Sequence, residues 1–243
     1  MQKTTSHKSP DSHYIQNMFD RLAPRYDLFN HLTSMGLASL WRQKALAPVR
    51  PGMRILDLGC GTGDLTLEAA KKLGGLGEVI GLDFSENMLK FAQKRYQKTG
   101  LNGNPKVRWA LKKAEELPIE NEPYDLVVSG FVLRNLYQNI DLILRGVYQS
   151  LKAGGQISFL DITDPQKRWV RIAWEAYMTV FAGLYGKILF GKDYPVFYLA
   201  DSAKRFLNAS DFIKKLEETG FQDIRTKPHL FGVITIYQGR KPL

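Results

Sequence analysis

Two aspartates and three glycines carry the clearest chemistry in this chain. Asp57 stands two residues before Gly59, and Gly59, Gly61 and Gly63 form a G-x-G-x-G run. Glycine lets a backbone approach a ligand with no Cβ in the way. Asp64 then opens a helical pattern through Leu73, and a helix start presents unpaired N–H groups to polar ligand atoms. Asp83 lies 20 residues beyond Gly63 and ends a second apolar run. A carboxylate at that strand tip can accept two ribose hydroxyls. This is the pattern of a nucleotide-type cofactor site. The run is not the G-x-G-x-x-G that seats a pyrophosphate, which disfavours a dinucleotide oxidoreductase. Cys60, the single cysteine, sits inside the glycine turn and reads as a small buried filler rather than a nucleophile.

The elements that must position these residues alternate. Strands are expected at 53–58, 78–83, 106–111, 124–130 and 156–162, and helices at 64–73, 86–98 and 139–151. Ser85 is the expected cap of the second of these helices, and Lys152-Ala-Gly-Gly155 the stop and turn after the third. Such alternation predicts a parallel sheet with helices on both faces. A helix at 209–219 and two strands near 221–227 and 231–238 close the chain. Residues 1–12 read as a disordered polar tail and 13–243 as one domain. Within it, 13–48 form a helical cap and the aromatic-rich segment 163–207 a helical lid.

At 243 residues the chain fits one large α/β domain with additions. Its 34 Lys and Arg against 24 Asp and Glu give a net charge of +10, spread over pairs such as Lys71-Lys72 and Lys112-Lys113 rather than gathered in a run. A basic surface attracts nucleic acid or anionic lipid. No basic patch interleaved with aromatics is seen, so nucleic acid is not an expected partner. One cysteine excludes an internal disulfide and agrees with a reducing compartment. His7, His13, His31 and His229 lack metal-ligand spacing, so no metal is expected. With no apolar signal-like N-terminus and no run long enough to span a bilayer, a cytoplasmic location is expected.

The D-L-G-C-G-T-G-D sequence at 57–64 resembles the first motif of class I S-adenosylmethionine-dependent methyltransferases. Further segments narrow the resemblance. They are Met18-Phe-Asp-Arg-Leu-Ala-Pro-Arg-Tyr-Asp-Leu-Phe-Asn30, Trp41-Arg42, Asp83-Phe-Ser-Glu-Asn-Met-Leu89, Leu133-Arg-Asn135 and Tyr198-Leu-Ala-Asp-Ser202. Together these resemble the menaquinone and ubiquinone biosynthesis C-methyltransferases over about residues 15–241. The resemblance implies a Rossmann-like α/β fold, with a mostly parallel seven-stranded sheet and an antiparallel last strand. It implies S-adenosylmethionine held by Asp57, Gly59, Gly61, Thr62, Gly63, Asp83, Phe84, Lys113, Ala114 and Gly130. Lys113 departs from the family, which has Asn or Asp before the Ala-Glu, and Leu136-Tyr137-Gln138 departs after Asn135.

The substrate so implied is a polyprenylated quinol, naphthoquinol or benzoquinol. Its ring carbon becomes nucleophilic once an adjacent hydroxyl loses its proton. Arg134 stays protonated and is assigned to stabilising the phenolate or a deprotonating water, with Asn135 orienting ring oxygens. A duller role for Arg134 is a core ion pair with Asp161. Asp27 or Tyr26 from the cap would relay the proton, His31 being a weaker candidate; Asp27 could equally cap a helix. The aromatics of 166–198 either fill a core or line a prenyl tunnel. In the second reading Arg168, Arg171, Lys187 and Lys192 meet anionic lipid at the inner face of the cytoplasmic membrane. A homodimer is compatible with either. The competing reading is a methyltransferase of another small or lipidic acceptor, at carbon or oxygen.

Overall fold

The structure, a computed structural model, describes residues 25–101, 103–118, 120–191 and 208–243, apart from the side chains of Tyr26 and Ala182. The expected tail 1–12, the first cap helix at 13–22, and residues 192–207 with Lys192 and the Tyr198–Ser202 motif lie outside the described residues.

Seven strands form one sheet: β1 (Arg54–Leu58), β2 (Glu78–Asp83), β3 (Lys106–Leu111), β4 (Tyr124–Gly130), β5 (Leu151–Ile162), β6 (Gln222–His229) and β7 (Ile234–Arg240). Their order is β3-β2-β1-β4-β5-β7-β6. β1 to β5 pair in parallel, and β7 runs antiparallel to both β5 and β6. This is the expected mostly parallel sheet with an antiparallel last strand. Eight helices accompany it among the described residues: α1 (Tyr26–Thr33), α2 (Leu37–Ala45), α3 (Asp64–Leu73), α4 (Glu86–Gln97), α5 (Ile140–Ser150), α6 (Arg168–Tyr177), α7 (Gly183–Phe190) and α8 (Ala209–Thr219).

Strand periodicity divides the core. Leu56, Leu58, Val127, Ile157 and Phe159 point to one face and pack on α5 and α8. Ile55, Val79, Leu126 and Val128 point to the other and pack on α3. With both faces covered, all five residues of β1 are buried, the charged Arg54 and Asp57 among them, as expected for a central parallel strand. A third cluster joins Ala38, Trp41 and Ala45 of α2 to Val170 of α6 and the inner ends of β5 and β7.

Ser85 caps α4 as expected, accepting the Met88 N–H at 3.1 Å. Lys152–Gly155 behaves otherwise. It is drawn into β5 as an irregular stretch: Tyr124 pairs with Leu151, but Leu126 already pairs with Gln156. The Gly154 N–H donates to Lys241 O and Pro242 O at 3.1 Å, and the Lys241 N–H to Gly155 O at 2.8 Å. The chain's own C-terminal residues therefore convert an expected turn into a bulged strand. The closing hairpin is also displaced. It turns at Leu230–Gly232, where Leu230 and Phe231 take φ of +47° and +55°, so the strands begin and end later than local sequence suggests.

Candidate functional site

The first cavity lies beyond the carboxyl ends of β1, β2 and β4 and measures about 210 Å³. Ligands bind at this edge in open α/β sheets. The glycine loop forms its floor. Gly59 and Cys60 N–H both donate to Leu82 O, at 2.8 and 2.9 Å, which ties the loop to β2. Gly59 has φ of +71°, and a Cβ there would lie 2.4 Å from Val132 Cγ1, so nothing larger fits. Gly61 has φ of +54° and no protein atom within 4 Å of its missing Cβ; its bare backbone faces the cavity. Gly63 ends the loop at the start of α3.

Two carboxylates organise the floor. Asp83 accepts the Gly61 N–H at 2.8 Å and the Ser85 N–H at 2.9 Å, one on each oxygen. It thereby holds the loop at the cavity border. Asp57 accepts the Thr66 hydroxyl at 2.6 Å on Oδ2, and its buried Oδ1 has no hydrogen-bond partner among the described residues. Burial pushes the Asp57 carboxyl up to about 7, with the nearby Asp83 charge adding to it. Phe84, Lys113, Ala114 and Gly130 also border the cavity. The Lys113 N–H is engaged by Glu116 Oε1 at 2.9 Å. A Cβ on Gly130 would meet only Leu65, at 3.5 Å, so space does not demand glycine there. Cys60 is buried, and burial pushes its thiol well above the usual range.

The second cavity, about 300 Å³, is almost wholly apolar and opens between α1, α2, α6 and the β6–β7 turn. Phe29, Trp41, Phe131, Trp174, Tyr177 and Val233 line it. Trp174, Tyr177 and Phe181 stack in series along the helix, with centroids 5.7 and 5.2 Å apart. Asn30 and Phe131 border both cavities.

The Leu133–Asn135 turn stands between them. Neighbouring residues diverge: Arg134 lines the apolar cavity and Asn135 the polar one. Arg134 donates through Nη1 to Asp161 Oδ1 at 2.8 Å and through its backbone N–H to Asp161 Oδ2 at 3.1 Å. Both side chains are buried. The core ion pair weighed from sequence is thus present, at a cavity wall rather than in a sealed core.

Asp27 does not cap α1; no side chain does. It accepts the Thr62 hydroxyl at 2.5 Å and pairs with Arg95 at 2.8 Å. Its carboxyl is raised, by burial first and then by Asp64, against the pull of Thr62 and Arg95. Tyr26 begins α1, and its side chain lies outside the described residues. His31 is exposed and borders neither cavity. Three residues absent from the sequence-based list belong here. Asn30 and Arg42 line the polar cavity, and Arg95 joins the loop to the cap. Asn30 and Arg42 fell within resembling segments; Arg95 gave no local signal. Among the described residues no group of three His, Cys, Asp or Glu could hold a metal ion, and no helix is long and apolar enough to cross a membrane.

A model of the ubiE/COQ5 methyltransferase family matches residues 5–241. The chain is 34% identical to the demethylmenaquinone methyltransferase of Lactobacillus johnsonii, over 93% of this chain and 92% of that one. It is 32% identical to the ubiquinone/menaquinone biosynthesis C-methyltransferase UbiE of Pseudomonas fluorescens, over 97% and 91%. The crystal structure of a SAM dependent methyltransferase from Aquifex aeolicus shares the fold, with a TM-score of 0.61 at 16% identity, covering 88% of this chain and 97% of that one.

Proposed function

The chain belongs to the ubiE/COQ5 methyltransferase family, and on that premise we propose that it moves a methyl group from S-adenosylmethionine to a ring carbon of a polyprenylated quinol. The names of its relatives favour demethylmenaquinol, with a benzoquinol as the second acceptor to be tried. One observation carries the reading: a polar cavity built on two aspartates and a bare glycine loop meets an apolar cavity at Asn30 and Phe131.

The polar residues fit the methyl donor. Asp83 stands at the tip of β2 where ribose hydroxyls would lie, Gly61 offers backbone without a side chain, and Asp57 Oδ1 waits buried for a donor or a cation. Bound there, S-adenosylmethionine supplies an already activated sulfonium methyl. The chain's task is then alignment and exclusion of water. The apolar cavity takes the flat ring and the start of its tail. Arg134, held by Asp161, presents its guanidinium at an apolar wall, where an N–H donated to the ring oxygen favours the phenolate over the phenol. Asn135 orients a ring oxygen from the polar side. In the transfer the S–CH₃ bond breaks and a ring C–CH₃ bond forms. The hydroxyl proton leaves before transfer, and the ring-carbon proton leaves as aromaticity returns while the phenolate oxygen regains one. One proton is released overall. Asp27, engaged by Thr62 and Arg95, suits positioning better than proton relay.

The lid also supports peripheral membrane contact. Trp169, Ile172, Val180, Leu184 and Ile188 are all exposed on the run from α6 to α7. From 180 to 188 they recur every four residues, and on a 3.6-residue helix that stripe would drift round by about 40° per step. The wider π turn at Met178–Ala182 reduces that drift over the first step only, and the three residues fall within about 80° of one another. Arg168 and Lys187 flank it. Flotation with anionic liposomes tests this; no binding at low salt rejects it.

The test of the reaction is transfer of a labelled methyl group to demethylmenaquinol and benzoquinol analogues under reducing conditions. Arg134→Ala should abolish most transfer while S-adenosylhomocysteine still binds. The double variant Arg134→Met, Asp161→Asn removes both buried charges and guards against simple misfolding. Undiminished transfer by either variant removes Arg134 from the mechanism.

A further inference from the structure

We propose that Arg95 is a positioning residue that couples the methyl-donor cavity to the acceptor cavity, so that filling the first completes the second. The inference rests on the two-cavity reading and assigns a role to a side chain in neither cavity.

Arg95 projects from α4 and joins three separate segments. Its Nη1 donates to Asp27 Oδ2 of α1 at 2.8 Å and to Thr62 O of the glycine loop at 3.1 Å. Its Nη2 donates to Asp64 Oδ1, at the start of α3, at 2.6 Å. The Thr62 hydroxyl closes the ring on Asp27 Oδ1 at 2.5 Å. Asp64 Oδ2 continues it to Arg42 of α2 at 2.7 Å. Helix α1 is therefore fastened to the glycine loop through Arg95 and Asp27, and α2 to the loop's far end through Arg42 and Asp64. A planar fork with fixed donors can do this; an ammonium cannot meet all of these acceptors at once.

The opposite side of α1 belongs to the lid. Phe29 packs edge-on against Phe190, centroids 5.7 Å apart. The Tyr177 hydroxyl donates to Thr33 O at 3.0 Å, and Arg25 Nη1 donates to Leu189 O. Helix α1 is eight residues long and places Phe29 in the acceptor cavity and Asn30 in both. A ligand that orders the glycine loop thus orders Asp27, and through α1 the acceptor cavity wall. The pairs are partly exposed, with 37% of the Arg95 and 41% of the Asp27 side chain accessible. The fastening is accordingly weak enough to be made and broken, as a coupling element must be. Coupling between sites is reciprocal, so either ligand should tighten the other.

The test uses the full chain with Arg95→Met, Asp27→Asn and the double variant, read in two ways. First, hydrogen exchange over residues 26–35 is measured with and without S-adenosylhomocysteine. The wild type should gain protection on binding, and the variants should not. Second, affinity of a short-chain quinol analogue is measured with and without S-adenosylhomocysteine. The wild type should show about a tenfold gain, reduced to less than twofold in each variant and no further in the double. Arg95→Lys should restore only part of it. S-adenosylhomocysteine affinity itself should change less than threefold. Variants that keep both the protection and the tenfold gain overturn the proposal. So does a variant that loses S-adenosylhomocysteine binding outright, since Arg95 would then serve the donor site alone. If the quinol analogue fails to bind while the protection behaves as expected, the acceptor assignment fails and the linkage from loop to cap stands.

Discussion

The two cavities differ in how the chain builds them. The polar cavity comes from turns at the ends of adjacent parallel strands, and its key groups fall within residues 57–64 and 83–84 with short additions. The apolar cavity draws on residues 29–41, 131–134, 162–178 and 230–234, regions far apart in the chain. One is fixed by backbone geometry and carboxylates, the other by side-chain packing between α1, α2, α6 and the β6–β7 turn. At Gly59 the polar cavity admits no larger side chain, whereas the apolar slot can be reshaped one side chain at a time.

The comparison sharpens first at Asp57. Its folded carboxyl sits near 7 against 3.8 for the ordinary group, so it favours the folded state most at low pH. That contribution is lost as pH rises through 7. Between pH 5 and pH 8 it amounts to about 3 kcal/mol. Chemical denaturation midpoints of the ligand-free protein should fall over that range, and Asp57→Asn should remove this part of the fall. A slope unchanged in Asp57→Asn would show that the group is not buried as described.

Asp83→Ala removes the acceptor of two loop amides and the expected ribose partner. About two charge-assisted bonds' worth of affinity goes with it, so calorimetry should show S-adenosylhomocysteine bound about 100-fold more weakly. Binding within a few-fold of wild type would break the polar half of the comparison. Next come the glycines. Gly59→Ala combines an unfavourable φ with overlap on Val132 and should cost about 2 kcal/mol or more. Gly130→Ala, with only a 3.5 Å contact to Leu65, should leave the denaturation midpoint nearly unmoved. Smaller than the aspartate effects is Ala173→Trp, at an exposed position lining the apolar cavity. It should raise the KM for the acceptor about tenfold and leave S-adenosylhomocysteine affinity within twofold. Equal effects on both ligands would mean that the cavities are not separate.

Much of the polar site was legible because its signals are local. A positive φ at Gly59 and Gly61 forces glycine, and strand ends near Asp57 and Asp83 follow from apolar runs bounded by turns. Even so, the pairing of Asp27 with Thr62 and Arg95 could not be read, since helix α1 and helix α4 meet only in the fold. The bulge at Lys152–Gly155 was hidden for a like reason: it forms against β4 and is held by residues 241 and 242, far away in the chain. The late turn at Leu230–Phe231 uses left-handed backbone at residues that do not advertise it.

The sequence by itself determined the strand and helix order, the glycine turn and its acids, because hydrophobic period and steric demands act between near neighbours. Tertiary structure decided that Arg134 and Asn135 face different cavities, that Asp161 holds Arg134, and that α1, α2 and α6 border one apolar slot. Those outcomes depend on which surfaces the sheet brings together, and apolar side chains pack with any neighbour of suitable shape, so their own spacing cannot name the partner.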